Sequence, residues 1–213
     1  MSDCCGPPGN AEINSDPRFR RILWVALLSN AAMFAVELVG SFISGSVSLQ
    51  ADALDFFGDA VNYGISLFVL GLSLQMRSRA ALLKAATMGL FGCWVLGSAV
   101  YRATTLATPD AAVMGLLGAL ALIVNVGVAV LLFRYRGGDS NARSIWLCSR
   151  NDALGNIAVM LAASGVFLTA TGWPDILVAT IIASLNISAA YQVIVQARSE
   201  LQWVKASEVS EQA

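Results

Sequence analysis

The chain has 213 residues, of which 57% are hydrophobic and 13% charged, and its formal net charge is −1. This composition is too apolar for a soluble domain, and a near-neutral charge excludes the basic surface by which proteins bind nucleic acids. Because so little of the chain remains for any soluble part, the sequence predicts an integral membrane protein.

The amino-terminal segment is polar and lacks the apolar core of a secretory signal peptide, so we expect residues 1–17 to form a flexible cytosolic tail. Two adjacent cysteines, Cys4 and Cys5, lie in this tail. The chain has four cysteines in all, too scattered for a disulfide framework, and it has no histidine. A metal site in this protein would therefore use carboxylate, thiolate, amide or backbone ligands.

Six apolar segments follow, each long enough to cross about 30 Å of hydrocarbon at about 1.5 Å per helical residue. They are predicted at residues 19–44, 48–75, 80–104, 111–133, 144–171 and 175–197. Turn residues or charges separate them. The predicted fold is thus an all-α membrane domain of six transmembrane helices over residues 18–200, followed by a short cytosolic tail at 201–213.

The basic residues predict the orientation of these helices. Nearly all of them fall on the side of the predicted bundle that holds the amino terminus, with Arg102 on the opposite side and Arg150 inside a helix. Since arginine and lysine accumulate on the cytoplasmic side of membrane proteins, both termini are predicted to be cytoplasmic.

Three aspartates interrupt the second apolar segment, in the run SVSLQADALDFFGDAVNYGISLFVLGLSLQ. At about 100° per residue Asp52, Asp55 and Asp59 share one helix face, which Asn62 continues towards the next turn. An ionisable side chain at membrane depth costs roughly 2.5 to 3.5 kcal/mol on insertion scales. These acids therefore need a proton, a counter-charge or a cation as a partner.

A second polar stripe lies in the fifth segment, where Cys148 and Asp152 are four residues apart and Asn156 follows one turn later. Only Arg150 is available at depth as a counter-charge, and it lies about 200° around the helix from Asp152. Ion pairing therefore does not account for the acids of the two segments. Counting from the predicted helix centres puts Asp59 about 10 Å further outward than Asp152, an offset that helix tilt or a fifth helix starting deeper must absorb.

Both stripes resemble motifs of the cation diffusion facilitators. The run SVSLQADALDFFGDA is similar to the second-helix motif of that family, in which an acid or histidine and an aspartate four residues later bind a transition-metal ion. The fifth segment is similar to the partner motif, usually histidine followed four residues later by aspartate. The resemblance covers about residues 18–200 and implies a cation-efflux transmembrane bundle, a homodimer and four metal ligands, namely Asp55, Asp59, Cys148 and Asp152.

The sequence departs from the family pattern at two points. Position 148 is cysteine where the family usually has histidine, which bears on the choice of metal. The cytoplasmic metal-binding domain that usually follows the sixth helix has no counterpart here, so we expect a variant without that domain.

The chemistry of the implied ligands predicts both a substrate and a coupling ion. Two pairs at i and i+4 on two helices present four ligands, as a tetrahedral divalent ion requires, and a thiolate among oxygens favours Zn²⁺ or Cd²⁺ over Mg²⁺. Three carboxylates and a thiolate over-neutralise a divalent ion, so metal binding should release protons. We expect a secondary transporter of the cell (inner) membrane that exports Zn²⁺ and/or Cd²⁺ from the cytosol by proton antiport with alternating access. The metal is then substrate, and no cofactor is expected.

Other polar residues near the stripes are expected to serve this pathway. Asp52 lies nearer the outer end than the implied ligands and is expected to act in metal exit or proton access. Glu37, in the first segment, is expected to line the pathway or to support the ligands. Asn62 and Asn156 are most simply interhelical hydrogen-bond partners, and they are also candidates for supporting the ligands.

Two other functions stay open at this point. A metal-binding membrane sensor or accessory subunit would fit if Cys4 and Cys5, candidates for capturing a thiophilic ion, were essential while transport was undetectable. An intramembrane aspartyl protease needs two aspartates on separate helices, which the chain offers, but the GxGD signature of such enzymes is absent. We therefore expect a transport protein rather than an enzyme.

Overall fold

The computed structural model describes residues 17–68, 74–105, 107–134 and 140–211, and its regular structure there consists of six α-helices. Their bounds are α1 Pro17–Ser44, α2 Val47–Phe68, α3 Leu74–Thr105, α4 Ala111–Phe133, α5 Ser140–Thr169 and α6 Trp173–Glu211. The prediction of an all-α protein with six helices is confirmed. Cys4 and Cys5 lie outside the described residues.

Several predicted bounds are wrong because hydropathy reports only the apolar part of a helix. The second segment was predicted to run to residue 75, but residues 74 and 75 belong to α3, which begins six residues before the predicted 80. Helix α5 begins at Ser140 rather than 144, and α6 continues past the predicted 197. The tail predicted at 201–213 is therefore helical as far as Glu211.

Five of the described helices are long and apolar enough to cross a membrane, and α2 is the exception. Its 22 residues include Asp52, Asp55 and Asp59, so its charge content is high for a membrane span. Helix α2 is also the one helix that contacts all five others in the described part of the chain, and no residue from 47 to 67 is exposed. The acid-bearing helix is therefore shielded by the other five and needs no lipid-facing surface.

The other five helices present apolar side chains outward. Leu90 of α3 is 75% exposed and Phe167 of α5 is 79% exposed, and α1, α4 and α6 carry further exposed apolar residues. Exposed apolar side chains at this density suit contact with lipid rather than water. The arrangement confirms a multi-pass membrane protein with a polar centre.

Three short connections gather at one end of the bundle, which we call the loop end. The backbone nitrogen of Asp110 donates to the carbonyl oxygen of Ser44 at 2.9 Å, and the Thr108 hydroxyl donates to the carbonyl oxygen of Ala170 at 3.3 Å. The α1–α2, α3–α4 and α5–α6 connections are thereby joined. Helices α1, α3 and α5 run towards the loop end, and α2, α4 and α6 run from it to the opposite end, which we call the terminal end.

A glycine makes the reversal between α1 and α2 possible. Gly45 has φ +71°, a left-handed conformation that other residues adopt at a cost, and the backbone nitrogen of Ser46 donates to the carbonyl oxygen of Ser41 at 3.1 Å. A side chain at position 45 would also lie 2.7 Å from the Arg102 guanidinium. The turn therefore ends α1 and starts α2 within two residues.

The first turn of α2 is capped by an acid from another helix. Asp175, in the first turn of α6, accepts hydrogen bonds from the Ser46 hydroxyl at 2.7 Å and from the backbone nitrogens of Val47 and Ser48 at 2.8 and 2.9 Å. The first backbone N–H groups of a helix have no partner within it, so these bonds replace water that the bundle excludes. They fix the depth of α2 against α6.

Candidate metal centre

The three aspartates of α2 lie along one side of an unbroken helix at the centre of the bundle. Asp52 and Asp59 are buried and Asp55 is partly buried. The Asp55 carboxyl lies close enough to the carboxyls of Asp52 and Asp59 to interact with them electrostatically, and it lies near Asn186 of α6, whose amide nitrogen has no well-formed hydrogen bond among the described residues. The shared face predicted for these acids is thus present, and it adjoins α6.

The depth of α2 against α5 is set by a contact between Tyr63 and Ser149. Their hydroxyl oxygens lie 2.8 Å apart, and both side chains are buried. The helices are antiparallel, and Asp59 lies four residues before Tyr63 while Asp152 lies three residues after Ser149. At about 1.5 Å per residue this puts Asp59 and Asp152 at one level to within about one helical turn. The offset of about 10 Å counted from the predicted helix centres is therefore absent, because α2 ends at Phe68 instead of residue 75 and α5 begins at Ser140 instead of residue 144.

The four implied ligands are only partly described. Asp152 is partly buried, and the backbone of α5 places residue 148 one turn nearer the terminal end on the same side, but the Cys148 side chain lies outside the described residues. Among the side chains that are described, no three acids or cysteines converge closely enough to hold a metal ion. The ligand set Asp55, Asp59, Cys148 and Asp152 therefore stays a prediction.

Glu37 and Asp52 form a second pair of acids nearer the loop end. Glu37 precedes Gly45 by eight residues and Asp52 follows it by seven, so the two lie at a common depth on adjacent helices. The carboxyls interact with each other, yet no well-formed hydrogen bond from any described residue reaches either Glu37 oxygen or the Oδ2 atom of Asp52. A buried carboxylate without donors is costly, so this pair needs a proton or a cation.

Two predicted asparagines also line the centre. Asn156 is fully buried, and in the described part of the bundle neither its amide oxygen nor its amide nitrogen has a hydrogen-bond partner. Among the described residues Asn156 therefore does not form the expected hydrogen bond between helices, and it lies one turn from Asp152 on α5. Asn62 is partly buried and does have an interaction.

Sequence reasoning missed Tyr63, Ser149 and Asp175. The Tyr63 hydroxyl donates to the Oδ2 atom of Asp59 at 3.4 Å as well as contacting Ser149. The sequence did contain a signal for Tyr63 and Ser149, since Tyr63 follows Asp59 by four residues and Ser149 adjoins Cys148. A tyrosine in an apolar run is, however, typical of core packing. Asp175 gives no such signal, because its partners are 127 to 129 residues away.

Comparison with known proteins supports the reading of these residues. Residues 23–202 match the family described as the cation efflux transmembrane domain. The chain is 24% identical over 192 residues to the "Cadmium, cobalt and zinc/H(+)-K(+) antiporter" of Bacillus subtilis (strain 168), covering 82% of this chain and 60% of that protein. It is 24% identical over 209 residues to "Zinc transporter ZitB" of Escherichia coli (strain K12), covering 90% of this chain and 65% of that protein.

A further ZitB, from Pectobacterium atrosepticum, is 26% identical over 196 residues, which cover 84% of this chain and 60% of that protein. The chain thus spans less than two thirds of the length of these relatives. The printed names of these relatives are those of transporters. Because the family match covers most of the chain and includes both polar stripes, this protein belongs to the cation efflux transmembrane domain family.

Proposed function

We propose that this protein exports a divalent transition-metal ion, Zn²⁺ and/or Cd²⁺, from the cytosol in exchange for protons. One observation carries the proposal. Helix α2, which the other five helices shield from lipid, carries Asp55 and Asp59 at the same depth in the bundle as Asp152 of α5. Acids buried at membrane depth indicate a functional site such as an ion pathway, because their burial is costly. The printed names of the relatives, which include zinc and cadmium, support the same substrates.

The proposed ligands are Asp55 and Asp59 from α2 with Cys148 and Asp152 from α5. Each helix contributes an i and i+4 pair, so two rigid supports supply a tetrahedral set. A sulfur ligand increases the affinity for Cd²⁺ relative to Zn²⁺, since Cd²⁺ is the softer ion. Cys4 and Cys5 are proposed to capture such an ion before it reaches the bundle.

Proton coupling follows from charge. Three carboxylates and a thiolate cannot all be ionised in an empty membrane site, so metal entry displaces protons and proton entry displaces metal. The Glu37 and Asp52 pair is the proposed route for protons between this site and the loop end. With both termini cytoplasmic, the loop end faces outside, and protons enter from there.

Alternating access is proposed because packed residues close both sides of the site. On the loop side lie the Asp175 cap and the apolar cluster of Val47, Leu49 and Val95, and on the terminal side lie Phe19 and Leu132 beside Tyr63. A metal ion can pass only if the helices separate at one side at a time. Such rocking about a central site is a common transport mechanism.

A homodimer through α3 is part of the proposal. Gly89, Cys93 and Gly97 recur every four residues on α3, Cys93 is exposed, and open space surrounds the Cβ position of both glycines. Small residues at this spacing allow two membrane helices to approach closely. We expect oxidation to cross-link Cys93 between two copies in native membranes. The dimer is contradicted if no cross-link forms and the reduced protein is a monomer in detergent.

The function is tested with purified protein in proteoliposomes. Zn²⁺ and Cd²⁺ flux is measured with and without an imposed pH gradient, in the parent and in Asp59→Asn, with Asp110→Asn at the exposed cap of α4 as the matched control. We expect gradient-stimulated flux in the parent and the control and none in Asp59→Asn. Flux that ignores the gradient contradicts antiport, and tight metal binding without any flux favours the sensor or accessory function instead.

A further inference from the structure

Tyr63 lies where the two ligand-bearing helices meet. Its hydroxyl oxygen is 3.4 Å from the Oδ2 atom of Asp59 on α2 and 2.8 Å from the hydroxyl oxygen of Ser149 on α5. Tyr63 is 1% exposed and Ser149 is fully buried, so water does not replace these contacts. One hydroxyl thus links a proposed metal ligand to the helix that carries the other half of the site.

The direction of these hydrogen bonds follows from the number of protons. A phenol has one hydrogen, and the oxygen of an ionised carboxylate, the form that binds metal, can only accept, so Tyr63 donates to Asp59. Ser149 is then the donor in its contact with Tyr63. The chain of donation runs from Ser149 to Tyr63 to Asp59, and it ends on the carboxylate.

The ring of Tyr63 is fixed by packing, which gives its hydroxyl a defined position. It belongs to a buried cluster with Phe19 and Leu23 of α1 and with Val128 and Leu132 of α4. Tyr63 is therefore buried among residues of α1 and α4, and its hydroxyl contacts α5. Packing alone would be served equally well by phenylalanine, so the buried hydroxyl is what requires explanation.

We propose that Tyr63 is a positioning residue for the metal site, holding the carboxyl group of Asp59 in the orientation in which it binds the metal ion. This role rests on the proposed function. Metal-ligating carboxylates are commonly oriented by a hydrogen-bond donor, and loss of such a donor typically lowers metal affinity by roughly 10-fold to 100-fold. The Asp59 contact is longer than the usual 2.5 to 3.0 Å between hydroxyl and carboxylate oxygens. We expect it to shorten when the site holds metal.

The principal test replaces the hydroxyl and keeps the ring. In Tyr63→Phe we expect the Kd for Zn²⁺, measured by titration calorimetry in detergent, to rise at least about tenfold. The transport KM should rise with it, while the maximal rate changes little. Tyr191→Phe is the matched control, since it removes the same hydroxyl from a tyrosine of α6 that is 68% exposed.

A second pair of variants separates positioning from packing. Ser149→Ala should raise the Kd less than Tyr63→Phe, because Ser149 acts only through Tyr63. The double variant should match Tyr63→Phe, since nothing remains for Ser149 to orient. Independent structural roles would instead give additive losses, and that result overturns the proposal.

The remaining outcomes are also decisive. If the parent binds and transports metal while Tyr63→Phe matches Tyr191→Phe in Kd and KM, the positioning role is wrong and the proposed function stands. If the parent itself neither binds nor transports metal, both are wrong. If Tyr63→Phe lowers the thermal midpoint of the metal-free protein but leaves the Kd for Zn²⁺ unchanged, Tyr63 is structural and the proposal fails.

Discussion

Two buried acids in this bundle, Asp175 and Glu37, have contrasting surroundings. Asp175 is 1% exposed and accepts three hydrogen bonds from the first residues of α2. Glu37 is fully buried, and no described residue gives either of its oxygens a well-formed hydrogen bond. The first acid completes a helix end, whereas the second faces another acid, Asp52.

The contrast teaches that burial alone does not identify a functional acid in a membrane protein. A carboxylate with its full set of donors is stabilised as an anion and contributes to the fold. A carboxylate without donors is tolerated only if it takes up a proton or a cation, which is what transport requires. Substitution of Asp175 should therefore lower the stability of the fold, whereas substitution of Glu37 should lower transport and leave the stability unchanged or higher.

The largest expected effect is the loss of transport in Asp59→Asn. The amide cannot supply the anionic oxygen that a divalent ion requires, so metal binding and flux should fall below detection while the helical content stays unchanged. Circular dichroism and calorimetry on the same preparation measure both properties. A variant that binds Zn²⁺ as the parent does would remove Asp59 from the site.

Asp175→Ala should have the largest effect on the fold. It leaves the backbone nitrogens of Val47 and Ser48 and the Ser46 hydroxyl without their acceptor, which should lower the free energy of unfolding by about 1 to 3 kcal/mol. The thermal midpoint in detergent measures this. Asp175→Asn keeps one acceptor oxygen and should fall between the parent and the alanine variant; an alanine variant as stable as the parent would contradict the capping role.

Glu37→Gln should lower transport without lowering the stability of the fold, in contrast to Asp175→Ala. Since Glu37 has no well-formed hydrogen bond to lose among the described residues, the neutral amide should leave the thermal midpoint unchanged or raise it. Transport driven by a pH gradient should nevertheless fall severalfold, because the proposed proton route loses one of its two acids. The comparison between the two regions fails if Glu37→Gln destabilises the protein as much as Asp175→Ala.

The smallest expected effect is a change of selectivity in Cys148→His. Replacing sulfur by nitrogen should shift the ratio of Zn²⁺ to Cd²⁺ flux towards Zn²⁺ without abolishing either. Flux assays with each metal measure the ratio, and Cys93→Ser on the exposed face of α3 serves as the control. An unchanged ratio would mean that Cys148 is not a ligand.

The sequence predicted what depends on local patterns. Helical periodicity placed Asp52, Asp55 and Asp59 on one face, and hydropathy located six helices. The sequence could not predict how deeply α2 lies against its neighbours. That depth is set by the contacts of Asp175 with the start of α2 and by the Tyr63–Ser149 contact, and the partners in each contact are 86 or more residues apart in the chain. The error of about 10 Å between Asp59 and Asp152 came from the predicted helix centres, since hydropathy placed the end of α2 and the start of α5 several residues away from their observed positions.

Proton release on metal binding is the most direct test of the account. Zn²⁺ is added to purified parent protein in a weakly buffered detergent solution, and the pH change is compared with that of Asp59→Asn. If the acids of α2 exchange protons for metal, the parent should release protons in proportion to the Zn²⁺ bound, and the variant should release none. Zn²⁺ binding by the parent without proton release would contradict the central claim that this buried site couples the two ions.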